Sequence, residues 1–291
     1  MLKQVLPVML SVFAPLMLSA CGGEGANTGH LSLAVTDAPV DSATAVVVQF
    51  TGVELHGPDG SRTIEFDTPK NIDLLALTGS ASEDILDDVE LPAGQYHWMR
   101  LMVNAERVVI DSYIDLEDGS RHSLFIPSGA ETGLKLVSGF VIPAGGSADF
   151  TIDFDLRKSV HKPEDAIGDY LLRPALRIVD NTQAGNITGT VSHALIGSEC
   201  APVVYLFAGS DATPDDEDDV SPNPITSAIP AMNANTGDFD YEIGFILEGD
   251  YTASFSCDGD LDEPDTDDAM TFTGTRNVTV TVGETGIADF R

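Results

Sequence analysis

Phe150, Thr151, Ile152, Asp153, Phe154, Asp155, Leu156 and Arg157 form the most regular stretch of the chain. Apolar side chains hold every even position, and Thr, Asp, Asp and Arg hold every odd one. Successive side chains of a β-strand point to opposite faces, so this period of two predicts a strand with one face in a core and a polar face turned to water. The same period recurs outward from it. Leu31, Leu33 and Val35 alternate with Ser32, Ala34 and Thr36, and Val46, Val48 and Phe50 share one face of a second strand region, 45–55. Turn residues stand between the runs at Gly57, Pro58, Asp59 and Gly60, at Pro92, Ala93 and Gly94, at Asp118 and Gly119, and over 143–146. Further strands are expected over 95–103, 108–116, 122–126, 140–142 and 170–179. Only residues 82–89 compete for helix, with Ile85, Leu86 and Val89 facing inward. Many short strands separated by turns predict an all-β sandwich over residues 30–180.

A short polar stretch near 180–186 leads into a second strand-rich unit, 185–291, with strands expected over 202–207, 239–246, 250–256, 270–273 and 277–282. Two acidic loops, 211–219 and 258–268, lie between them. Two tandem β-sandwich domains are therefore expected. The chain has 47 acidic and 14 basic residues, a net charge of -33. The second unit holds only Arg276 and Arg291 as cations. A surface of that sign repels phosphates and anionic lipid, which excludes nucleic acid as a partner and leaves solubility as the plain reading of the charge.

The first two dozen residues have their own logic. Lys3 precedes an apolar run over 5–18, and Leu18, Ser19 and Ala20 lead into Cys21, Gly22 and Gly23. The run is too short and too broken by Pro7 and Pro15 to span a bilayer, and small residues stand where a signal peptidase cuts. It resembles the bacterial lipoprotein signal, which implies a signal peptide over 1–20, a lipidated Cys21 as the new N-terminus and a Gly-rich tether over 21–29. The expected place is the cell envelope, lipid-anchored at the outer membrane, because Gly follows Cys21. With Cys21 assigned to lipid, Cys200 and Cys257 are the remaining thiols of an exported chain. Each stands at a strand margin, and together they predict one disulfide.

Five ordered motifs carry a further resemblance: TDAP at 36–39, LPAGQY at 91–96, IPSG at 126–129, DFDLRKSV at 153–160 and LLRPALR at 171–177. Together they resemble a domain-of-unknown-function family found in bacterial lipoproteins, across about 29–180. That family implies no activity. The second unit, with GNITGTV from Gly185 and the later EGDY, is similar to carboxypeptidase regulatory-like, prealbumin-type sandwiches, which implies an accessory or stalk role.

No catalytic constellation stands out. The six histidines at 30, 56, 97, 122, 161 and 193 form no spaced metal motif, and there is no nucleophile elbow or phosphate loop. Asp153 and Asp155, followed on the same face by Arg157, have three readings: a solvated strand face, which the alternation favours; an ion pair with the Arg173 motif; or an acid–base pair. Asp258, Asp260 and Asp262 have the i, i+2, i+4 spacing of a calcium loop, with Asp265 beyond them. Glu263 and Ala269, however, stand where an EF-hand needs Gly and Glu. A looser calcium loop and a solvated acid run both remain, and calcium is the one cofactor left open. The two acidic loops are expected at opposite ends of their sandwich. The functional expectation is a non-catalytic binding or scaffolding lipoprotein with an envelope or surface protein or a saccharide as partner. The alternatives are a calcium-stabilised adhesion stalk and a hydrolase using Asp153 and Asp155.

Overall fold

A computed structural model of the chain describes residues 27–291 except 39–42, 128–132, 163–167, 174, 219 and 265. Cys21 and Asp265 lie outside the described residues, as do the tether residues before Asn27. The fold is all-β, with strands in every region where the period of two was read and helical turns of at most four residues among the described segments.

The quoted stretch forms the strand Ser147–Asp155, which is central in its sheet. It lies parallel to Thr28–Ala38 and antiparallel to Leu176–Asp180, while Glu83–Pro92 closes the other side of Thr28–Ala38. The facing sheet is built around the long strand Ala43–Gly57. That strand pairs with Gly60–Asp73, Trp98–Asn104 and Tyr113–Leu116 and reaches Arg121–Phe125 through the Asp118–Gly119 turn. Leu31, Leu33, Val35, Phe150, Ile152 and Phe154 pack between the sheets against Val46, Val48, Phe50 and Val53. Phe50 and Phe154 meet edge to face at 6.1 Å.

Residues 82–89 form no helix. They belong to the strand Glu83–Pro92, in which Ile85 and Leu86 are both buried. A bulge around Asp88, at φ 49°, displaces the register against Thr28–Ala38. An extra residue in a strand gives adjacent apolar positions that mimic helical spacing. Residues 108–111 leave the sheet, and only Tyr113–Leu116 pairs. Thr28 and Gly29 already belong to the first strand, so the sheet begins inside the stretch read as tether. A Cβ on Gly29 would run into the Pro143 carbonyl, which is why the chain needs glycine there.

The second set of strands pairs only within itself among the described residues. Ala184–Val191, Phe239–Leu247, Ala231–Met232 and Thr285–Ile287 form one four-stranded sheet. Val203–Ala208, Gly249–Ser256, Phe272–Val280 and Thr226–Ala228 form the other. The core between them includes Ile187, Val204, Leu206, Tyr241, Phe255 and Phe290. The connection from the first unit is one 3-10 turn, Asn181–Gln183, and the next strand starts at Ala184.

Candidate functional site

The polar face of Ser147–Asp155 is solvated only at its start, where Ser147 and Asp149 are exposed. Thr151, Asp153 and Asp155 are buried along with the apolar positions, because the second unit lies across that face. Alternation correctly assigned Phe150, Ile152 and Phe154 to the core; the opposite face is a protein–protein seam that alternation alone does not distinguish from water. Asp153 takes a salt bridge at 2.7 Å from Nε of Arg177, its antiparallel register partner. An ion pair therefore forms with the second arginine of LLRPALR, Arg177, and not with Arg173. Arg177 then donates from Nη1 to the carbonyl of Phe245 in the second unit at 3.0 Å.

Arg157 does not continue the strand face. The chain turns at Asp155, whose side chain accepts from the Lys158 amide and caps the helical turn Leu156–Ser159. The turn drives Arg157 into the second unit. There its Nη1 donates to the Gly259 carbonyl at 2.7 Å and lies 3.8 Å from Asp262, with Tyr205 below. Lys158 donates to the Asp218 carbonyl, and Lys162 pairs with Glu263 at 2.9 Å. The basic positions of the first unit thus meet the acidic loops of the second, and part of the charge excess is answered inside the molecule.

On the other side of the seam the Phe239–Leu247 strand bulges. Phe245 sits at φ 55°, a left-handed conformation unusual for a residue with a large side chain. The bulge turns its carbonyl to Arg177 and brings Gly244 against Gly79 of the first unit, where a Cβ would collide with the Gly79 carbonyl. A cleft of about 210 Å³ remains beside this contact, lined in part by Thr36, Asp153, Ser227, Tyr241 and Glu242.

Burial governs the electrostatics. It holds the Asp37 carboxyl well above the usual carboxylate range, with Asp153 and Asp155 reinforcing the shift and the Leu156 amide opposing it. Asp153 is raised by burial despite Arg177. Glu217 is raised well above its ordinary range by burial and by the neighbouring carboxyl of Asp155.

The acidic loops were expected at opposite ends, and the structure brings them together. Asp216, Asp262 and Asp268 offer carboxylate oxygens within 4.8 Å of one another. Val203, Tyr205 and Phe207 make the outer face of their strand apolar, and the two loops fold back over it. Met270 and Phe272 cover part of this face, and the Tyr205 hydroxyl donates to Asp262. Among the described residues of the predicted calcium loop, only Asp262 enters this cluster. Asp258 accepts from the Thr271 amide, and Asp260 lies exposed at the turn. Cys200 and Cys257 form the predicted disulfide, with Cα atoms 4.5 Å apart. Beside the bridge, the Ala201 amide donates to the Cys257 carbonyl and the Gly259 amide to the Ala201 carbonyl, which presents Gly259 to Arg157.

Sequence reasoning missed Arg177, Lys158, Lys162, Gly244 and Phe245. A signal for the cations was present: Arg157, Lys158, Lys162, Arg173 and Arg177 are the densest cationic run of an acidic chain. No comparable signal marked Gly244 and Phe245, because a bulge depends on the partner strand.

The family model described as a domain of unknown function, DUF4382, matches residues 28–174, starting at the first residue of the first strand. Among curated proteins no sequence matches. Among solved structures the chain is similar to the TIE protein of Bacillus anthracis, at 9% identity and TM-score 0.21, over 91% of this chain and 34% of that one. It thus spans about a third of that protein's length. It is also similar to the minor pilin of Streptococcus agalactiae, at 10% identity and TM-score 0.21, over 89% of this chain and 94% of that one. A shaft pilin of Lactobacillus rhamnosus GG gives 10% identity and TM-score 0.18, over 91% and 98%. Among the described residues no helix is long and apolar enough to cross a membrane.

Proposed function

The chain belongs to the DUF4382 family, and on that premise we propose that it is a lipid-anchored, non-catalytic binding or scaffolding protein of the cell envelope. The observation that carries the non-catalytic reading is the burial of Asp153 and Asp155. One is held by Arg177 and the other caps the Leu156–Ser159 turn, under the cover of the second unit. Asp153 borders the cleft, but a general acid–base pair needs both carboxyls free to exchange protons with a substrate, and these two are engaged in holding Arg177 and the Leu156–Ser159 turn. The anchor rests on the sequence: Lys3, the apolar run and Leu18-Ser19-Ala20-Cys21, followed by Gly22 and Gly23, a short way before the first strand. The second unit, a four-on-four sandwich in the manner of prealbumin-type modules, acts as a covering and accessory body, and the partner is an envelope or surface protein or a saccharide.

Fractionation of cells expressing the full chain tests the anchor. The parent protein should sediment with outer membranes, and Cys21→Ala should release a folded form, since each lipid CH₂ inserted in the bilayer contributes about 0.8 kcal/mol and nothing in the mature chain replaces it. A mature, unlipidated form that stays on membranes would overturn the anchor. Glycoside or ester hydrolysis lost in a folded Asp153→Asn variant would overturn the non-catalytic reading.

A further inference from the structure

We propose that Asp216, Asp262 and Asp268 bind one divalent cation, calcium by its chemistry, and that the ion ties the two acidic loops together beside Arg157. The inference is independent of the anchor and of the binding role.

Three features converge on it. First, the three carboxylates form the one such set among the described residues, and they come from loops far apart in sequence. Calcium bonds oxygens at about 2.3–2.6 Å, so ligands on opposite sides of one ion stand roughly twice that distance apart. A set contained within 4.8 Å fits one coordination sphere. Second, a backbone amide of the loops holds each carboxylate in place. Asp262 accepts from the Glu217 amide at 3.0 Å, Asp216 from the Asp268 amide at 2.6 Å, and Asp268 from the Glu263 amide at 2.9 Å.

The third feature points to a ligand directly. Asp216 is 1% exposed, yet its Oδ1 has no hydrogen-bond partner. A polar oxygen taken out of water without a donor costs about 1–3 kcal/mol. Nearby cationic charge does not answer it: Arg157 lies against Asp262 Oδ2, the oxygen that also takes the Tyr205 hydroxyl. A cation among the three carboxylates would satisfy the bare oxygen and offset the mutual repulsion of the loops. The donors are all hard oxygens, with no His or Cys among them, and they sit on irregular loops. That combination suits calcium's flexible six to eight oxygen ligands rather than zinc or copper. The ion would also fix Asp262, and with it the socket that receives Arg157.

The test uses the full, disulfide-intact protein freed of metal with EGTA, with terbium and then calcium chloride as probes. Because Tyr205 touches Asp262, excitation of tyrosine should sensitise bound terbium. The luminescence should saturate and be displaced by calcium with a dissociation constant on the order of 10⁻⁴–10⁻³ M. Asp268→Asn, at a half-exposed position, should weaken binding at least about tenfold, and Asp216→Asn should do the same, while Asp258→Asn with Asp260→Asn should leave it unchanged. A parent protein with no calcium-displaceable signal would overturn the proposal. So would parent-like binding by Asp268→Asn, which decides the matter by itself if Asp216→Asn does not fold.

Discussion

Arg157 of the first unit donates from Nη1 to the carbonyl of Gly259 in the second at 2.7 Å, with the arginine 3% exposed. This bond places a guanidinium, the least easily deprotonated side chain, against the carboxyl of Asp262 where water has little access. Removing it leaves the buried Oδ2 of Asp262 and the Gly259 carbonyl without the guanidinium. Arg157→Ala should therefore destabilise the protein by about 3–5 kcal/mol, and Arg157→Lys should recover little, because an ammonium is more strongly hydrated than a guanidinium and costs more to bury. Urea unfolding of both variants checks this, and a parent-like midpoint for Arg157→Ala would show that the seam does not rest on the arginine.

Gly244 and Gly79 test the same seam by sterics. A methyl group on Gly244 meets the Gly79 backbone across the interface. Gly244→Ala should therefore cost about 1–3 kcal/mol, as overpacking does, and should raise protease cleavage between the units. Gly197→Ala, where a Cβ has open space, should be neutral in both measurements.

The Cys200–Cys257 bridge closes a separation of 57 residues, for which the chain-entropy relation gives on the order of 4 kcal/mol. The double Cys→Ser variant should lose up to that amount. It should also weaken the grip on Arg157, since the bridged segment positions Gly259. Arg157→Ala and the double Cys→Ser change should consequently combine to less than the sum of their separate effects. Strict additivity in a double-mutant cycle would refute the coupling.

Asp37 gives the pH dependence a sign. Its ordinary value of 3.8 applies to the unfolded chain, and burial raises the folded value well above that, with Asp153, Asp155 and Asp73 adding to the shift. Asp240 and Glu242 line the neighbouring cleft and are held constant in the comparison. Below pH 3.8 both states are protonated and Asp37 leaves stability unchanged. As pH rises from there the folded state keeps a proton that the unfolded state has lost, so stability falls by at most about 1.4 kcal/mol per pH unit, until the folded group ionises and the slope vanishes. Asp37→Asn should remove this part of the slope and be more stable than the parent at neutral pH. Thermal melts of both proteins across pH 4–8 measure the difference, and parallel curves would refute it.

The period of two at Phe150, Ile152 and Phe154 was enough to assign the strand and its core face, because the pleat alternates side chains whatever the strand packs against. Asp118 and Gly119 specified their hairpin for an equally local reason: Gly119 adopts φ 84° without penalty. The pairing of Cys200 with Cys257 was also legible, since so few thiols remained once Cys21 was assigned to the signal. The fate of the opposite strand face was not legible. Asp153 and Asp155 read the same whether water or another sheet covers them, and only the docking of the second unit turned a polar face into a buried seam. The gathering of Asp216 with Asp262 and Asp268 was hidden for a related reason. Spacing along one loop suggested Asp258, Asp260 and Asp262, whereas the apolar outer face of Val203, Tyr205 and Phe207 drew two distant loops over itself. Contacts that depend on chain neighbours can be read from order alone; contacts made by burying a face depend on what arrives to cover it, and that is decided only in three dimensions.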